Sequence, residues 1–205
     1  MLVKKASFKL ELIVFVTGFV VMSFEMVGSR ILSPAIGSSI YIWTSIIGVI
    51  LGSLSLGYFL GGRSADKYVD LKKLSAFILY AAIFVLVTNI LKEGILVYLS
   101  NSPMDSKFAA LIGSFALFSI PNIFLGMVSP LAFKLKITDL STTGTASSSL
   151  FIWSTVGSIA GTFVTGFYLI SYLGSANIVY LLSLVLFILA FYTSPKNNML
   201  PIVFY

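Results

Sequence analysis

The chain contains no cysteine and no histidine. Those absences exclude disulfides, thiol chemistry and imidazole proton relays, together with the Cys/His sets that usually hold transition metals, so neither a metal nor a cofactor is expected. Charge is scarce as well: 10% of the 205 residues are charged and only 7 are acidic. Soluble domains are about 25% charged, and this chain lacks the polar surface to be one.

Apolar sequence takes its place, with 58% hydrophobic residues and a mean hydropathy of +1.04. It falls into six runs, approximately 10–29, 41–61, 74–91, 108–133, 149–170 and 176–193. Each approaches the ~20 residues that cross ~30 Å of hydrocarbon. The expected class is an all-α polytopic membrane protein with six transmembrane helices, forming a single domain over 1–205. Lys4 and Lys5 before the first run imitate the start of a secretory signal, yet the run is too long and no small-residue cleavage site follows. The first helix is therefore expected to stay attached. The fourth run carries Pro121 and Pro130 and is long enough to tilt or break.

Basic residues set the expected orientation. With the N-terminus inside, ten lie on the cytoplasmic side (Lys4, Lys5, Lys9, Arg63, Lys67, Lys72, Lys73, Lys134, Lys136, Lys196) and three outside (Arg30, Lys92, Lys107). This asymmetry predicts a multi-pass protein of the cell membrane with both termini cytoplasmic. The same positions account for the net charge of +6 without nucleic acid, since the basic residues stand singly or in pairs at the ends of apolar runs. The longest outer connection is expected at 93–107, with Ile95, Leu96, Tyr98 and Leu99 lying along the interface.

Internal similarity divides the chain. Ile42-Trp43-Thr44-Ser45 opens the second run and Ile152-Trp153-Ser154-Thr155 the fifth; with one gap, Gly48, Gly52 and Gly57 then match Gly157, Gly161 and Gly166. Met26-Val27 with Ser33-Pro34 weakly echoes Met127-Val128-Ser129-Pro130. Three runs separate the copies, so the second would be inverted, with repeats at about 8–100 and 106–194 and sites near their interface. The Gly-x-x-x-Gly pairs Gly48/Gly52 and Gly157/Gly161 are read as close helix crossings rather than as a phosphate loop.

Intramembrane polar residues are the candidate site. Glu25 and Arg30 lie at the far end of the first run, where a charge at bilayer depth costs about 2.5–3.5 kcal/mol on insertion scales. Five residues turn about 140° around a helix, so the two do not share a face. Arg30 can snorkel to headgroups; Glu25 is either neutral and hydrogen-bonded or a cation or proton site. Pro121 cannot donate to the Leu117 carbonyl, which predicts a break in the fourth helix with the Asn122 amide beside it. That break suits either a packing kink or a site. The assumed boundaries place Glu25 and Asn122 at depths roughly 13 Å apart.

The stretch from Phe24 to Lys67, FEMVGSRILSPAIGSSIYIWTSIIGVILGSLSLGYFLGGRSADK, resembles the membrane domain of the fused major-facilitator/spermidine synthase-like proteins. LGMVSPLAFKL (Leu125 to Leu135) and IWSTVGSIAGTFVTGFYLI (Ile152 to Ile170) are similar to that domain's second half. The resemblance implies half of a major facilitator transporter. It implies a polyamine or similar small cation as solute; the candidate substrate or coupling residues, read from their intramembrane positions, are Glu25, Arg30, Asn122 and Trp43. Gly62, Arg63, Asp66 and Lys67 resemble that family's gating loop, with Asp66 as its acidic member. The 205 residues hold no Rossmann-like segment to supply the family's aminopropyltransferase, so no enzymatic activity is expected. A parallel homodimer in the lipid bilayer is the expected assembly. The alternative is a membrane anchor that docks a separate aminopropyltransferase-like protein through its basic loops and the tail Pro201-Ile202-Val203-Phe204-Tyr205.

Overall fold

The computed structural model describes residues 2–137 and 143–195, with side chains from residue 8 onward. The side chains of Lys4 and Lys5, Lys196 and the tail 201–205, which carry part of the topology and docking expectations, lie outside the described residues. Six helices are long and apolar enough to cross a membrane, and no strand occurs among the described residues. The chain is an integral membrane protein of all-helical class. Helices answer the constraint that hydrocarbon offers a backbone no hydrogen bonds, so each spanning segment must satisfy its own.

The helices are α1 (Leu2–Ile36), α2 (Ile40–Lys67), α3 (Leu71–Asn101), α4 (Ser106–Lys136), α5 (Thr143–Tyr172) and α6 (Ser175–Thr193). Short polar devices separate them. Gly37 ends α1 at φ 87°, a conformation open to a residue without Cβ, and its N–H donates to the Ser33 carbonyl at 2.9 Å. Asp70 and Asp105 cap α3 and α4, accepting from the backbone N–H of Lys73 at 2.8 Å and of Lys107 at 2.9 Å.

Two expected boundaries move. The connection at 93–107 is largely helical: α3 runs to Asn101 and leaves only 102–105 outside a helix. Its apolar residues extend the helix because Leu99 is buried against Gly113 of α4. The expected break at Pro121 is absent, and α4 is continuous from Ser106 to Lys136. The carbonyl that Pro121 leaves free, that of Leu117, accepts from Thr88 Oγ1 of α3 at 2.8 Å. A neighbouring hydroxyl thus replaces the missing intrahelical donor. Irregularity appears instead in α5, where Thr165–Leu169 form a π turn.

The most extensive packing joins α2 to α4 and α1 to α5, followed by α3 with α6 and α3 with α4. Glycine makes the first two close. A Cβ at Gly157 or Gly161 would strike the backbone of Phe15 or Phe19 in α1; at Gly57 or Gly61 it would strike Ile123, Gly126 or Met127 in α4. The expectation for Gly48 and Gly52 is corrected here: both face open space. The crossing pair of α2 is Gly57/Gly61, the next glycines on the helix's buried side. Spacing by four marks one face of a helix but not which face meets a neighbour.

Serine and threonine hydroxyls join the remaining helices. Ser75 donates to the Ala190 carbonyl at 2.7 Å and Ser183 to the Ala82 carbonyl at 2.9 Å, tying α3 to α6. Such bonds in membrane proteins are worth about 0.6 kcal/mol on average, so glycine crossings should dominate. Gly157→Leu and Gly57→Leu are therefore expected to cost about 1–3 kcal/mol or prevent folding, whereas Gly52→Leu leaves the chain's stability within about 0.5 kcal/mol of wild type. Reversible unfolding in mixed detergent micelles measures all three.

Candidate functional site

Glu25 sits in the interior of the membrane span. The span of α1 covers Phe8–Ile36, 29 residues centred on Met22, so Glu25 lies about 5 Å past the midpoint. Its orientation follows from its neighbours. Phe24 meets the Phe118 ring edge-on at 5.0 Å, and Gly28 lies against Phe118 and Ile46. On another side, Met26 reaches Gly166 of α5. Successive helical residues are about 100° apart, so Glu25 points between the side facing α2 and α4 and the side facing α5. It is half-buried and makes no hydrogen bond or ion pair among the described residues. Arg30 is exposed nearer the end of α1 and does not pair with it.

The part of α5 that packs against α1 at this depth, through Ser23 and Met26, is its irregular part. Thr165 opens the π turn and donates to Ser23 Oγ at 2.7 Å, while Ser23 Oγ donates to the Gly161 carbonyl at 3.4 Å. A π turn adds a residue to one helical turn and is often found at functional sites. No periodicity in the sequence announces it. The Thr165 and Ser23 hydroxyls fix α5 against α1 at nearly the depth of Glu25 but on the other side of the helix, since two residues turn about 200°.

Asn122 occupies a different environment. It is wholly buried, its Nδ2 donates to the Phe118 carbonyl of its own helix at 2.8 Å, and its Oδ1 has no partner. The depth estimate is corrected: α1 and α4 run antiparallel, with Leu32 beside Gly113 and Phe24 against Phe118, so Glu25 and Asn122 differ by about 8 Å or less rather than by the larger separation inferred from run boundaries. α1 is longer at both ends than its apolar run, which shifts the register. Trp43, near the start of α2, is partly exposed and forms no ring contact with another aromatic residue among the described residues.

The loop after α2 is organised by Asp66, among the residues first singled out, and by Lys73. Asp66 pairs with Lys134 at 3.5 Å, bridging the ends of α2 and α4 on the surface. Arg63 lies over the Phe59 ring at 5.4 Å, Gly62 faces open space and Lys67 is exposed. Lys73 closes the end of α2, donating to the Ser64 carbonyl at 2.7 Å and the Tyr68 carbonyl at 2.8 Å. A cation there also suits the negative end of the helix dipole.

Sequence reasoning missed a second carboxylate. Glu11 Oε1 accepts from Lys136 Nζ and from Ser149 Oγ, each at 2.6 Å, and Lys136 Nζ reaches Ser149 Oγ at 2.9 Å. Three helices, α1, α4 and α5, meet at this cluster, and the two charged side chains are only 9% and 17% exposed. Glu11 carries the signal that marked Glu25, a carboxylate within an apolar run, but its position near the end of that run hid it. With Asp66–Lys134, the last turn of α4 is held to α2 on one side and to α1 and α5 on the other. No protein family, curated protein or solved structure matches this chain.

The two ion pairs differ in solvent access, and so should their strengths. A double-mutant cycle on Glu11→Gln and Lys136→Met is expected to give a coupling of about 1–3 kcal/mol, while the cycle on Asp66→Asn and Lys134→Met, at an exposed pair, gives about 0–1 kcal/mol. Unfolding midpoints in detergent supply both cycles.

Proposed function

We propose that the protein is half of a transporter, resembling half of a major facilitator, which binds and moves a small cationic solute such as a polyamine. Glu25 carries this reading. It is a carboxylate deep in a membrane span, half-buried, with no partner among the described residues. Lipid is an expensive neighbour for such a group, so intramembrane carboxylates line polar pathways or ion sites. A second copy related by an axis along the membrane normal would cover that side of α1 and enclose a wet pathway, making the assembly a parallel homodimer.

The packing supports an inverted repeat. Exchanging α1 with α4, α2 with α5 and α3 with α6 turns the α2–α4 pair into α5–α1 and the α3–α4 pair into α6–α1, and leaves α3–α6 and α1–α4 unchanged; all six pairs are in contact. The sequence alignment of the halves fits less well, since Gly48 and Gly52 are open where Gly157 and Gly161 are closed. In this reading the termini are cytoplasmic, and the bonds of Lys134 and Lys136 close the cytoplasmic end of the protomer. Glu25 is the solute or coupling residue, Arg30 lies near the outer surface, and Asn122 supports the bundle beside it.

Uptake of radiolabelled polyamines into proteoliposomes tests the proposal. Wild type is expected to accumulate label, Glu25→Gln to reduce uptake at least tenfold, on the order of the 1.4 kcal/mol that a lost charge interaction contributes, and Arg30→Lys to retain most of it. Retained uptake by Glu25→Gln removes this residue from the mechanism. No uptake by wild type favours a membrane anchor for a separate spermidine synthase-like enzyme instead.

A further inference from the structure

Near the N-terminal end of α1, a recess of about 140 Å³ opens on the side of the bundle, lined by Phe8, Glu11, Leu12, Phe15 and Trp153. Three of these five side chains are aromatic. Trp153 and Phe15 meet edge to face, with centroids 6.3 Å apart and planes at 73°, so their rings form two walls of a corner. Phe8 lies seven residues before Phe15, on the same face of α1, and its exposed ring stands at the rim. Leu12 fills the turn between them. Glu11 lends its stem to the lining, its carboxylate engaged by Lys136 and Ser149.

The lining is almost wholly apolar, and this selects the ligand chemistry. A primary ammonium brings three N–H donors and would find too few acceptors here, losing hydrogen bonds it had in water. An uncharged alkyl group would fit but would gain nothing from the orientation of the rings. A trimethylammonium group has no donor to satisfy, presents methyl groups to the walls and spreads its charge over them, which ring quadrupoles attract. We infer that this corner binds a quaternary ammonium group of the trimethylammonium type. The site is distinct from Glu25, which lies 14 residues further along α1, about 21 Å away, and it does not depend on the transport proposal.

Two sources offer this chemistry: the headgroup of a choline phospholipid, or a free quaternary ammonium solute. The chain has two tryptophans, so Trp43→Phe leaves Trp153 as the sole reporter within the recess. Fluorescence of this variant in a detergent without choline groups is titrated with choline and with 3,3-dimethylbutan-1-ol, its uncharged isostere. A saturable change is expected with choline, at a midpoint about tenfold below that of the isostere. Phe15→Leu and Phe8→Leu keep the apolar surface but remove a ring, and each should raise the choline midpoint about 3-fold or more. Phe8→Leu, at the exposed rim, carries the test if Phe15→Leu does not fold. Equal midpoints for choline and isostere, or no saturable response to choline, overturn the inference. Nanodiscs separate the sources. If lipid fills the recess, choline titrates in phosphatidylglycerol discs but not in phosphatidylcholine discs; if a free solute fills it, the midpoints agree; silence in both overturns the site.

Discussion

Hydrocarbon gives helices little reason to associate, because lipid tails are as apolar as leucine, and it leaves any polar group that lacks a protein partner at a loss. The bundle is organised by both consequences. Where two helices must hold together without a hydrophobic drive, their backbones approach closely enough for dispersion to act along the whole crossing. Gly157 and Gly161 allow this between α5 and α1, and Gly57, Gly61 and Gly126 allow it between α2 and α4. The other helices attach to these two tight pairs.

The second consequence explains the placement of polar residues. Thr88 serves the carbonyl that Pro121 leaves open, Ser75 and Ser183 bond to carbonyls across the α3–α6 crossing, and Glu11 is matched by Lys136 and Ser149. Even Lys9, near the start of α1, donates to the Thr193 carbonyl at the end of α6, at 3.1 Å. Against this background Glu25 stands with a few exceptions, among them Asn89 Oδ1, Ser114 Oγ and Asn122 Oδ1, and is the one carboxylate among them. Unlike those enclosed atoms Glu25 is only half-buried, so a partner outside the chain can reach it.

Much of the architecture was legible in the sequence, because a span needs a long apolar run and a connection needs polar or glycine-containing sequence. The six helices followed from that alone. The extension of α3 to Asn101 was not legible, since Leu99 is held by a tertiary contact with Gly113 that no run length encodes. Nor was the open side of α2: Gly48/Gly52 and Gly57/Gly61 share one spacing, and only the position of α4 separates them. For the site, Glu25 was legible from rarity, a carboxylate well inside an apolar run. Glu11 passed unnoticed near a run's end, and the π turn at Thr165 carries no compositional mark. Pro121 was legible in part: the Leu117 carbonyl it frees is there, but Thr88 of α3 occupies it and α4 stays continuous.

The central proposal is that Glu25 is reached by water while Asn122 is enclosed. The absence of cysteine makes it directly measurable. Glu25→Cys and Asn122→Cys, each the only thiol in the chain, are to be exposed in membranes to a charged methanethiosulfonate that does not enter lipid and to an uncharged maleimide that does. The account predicts that Glu25→Cys reacts with the charged reagent and that Asn122→Cys reacts at least 10-fold more slowly, as local opening of a buried site requires. Reaction of Glu25→Cys with the lipid-soluble reagent alone would place that side of α1 against acyl chains and contradict it.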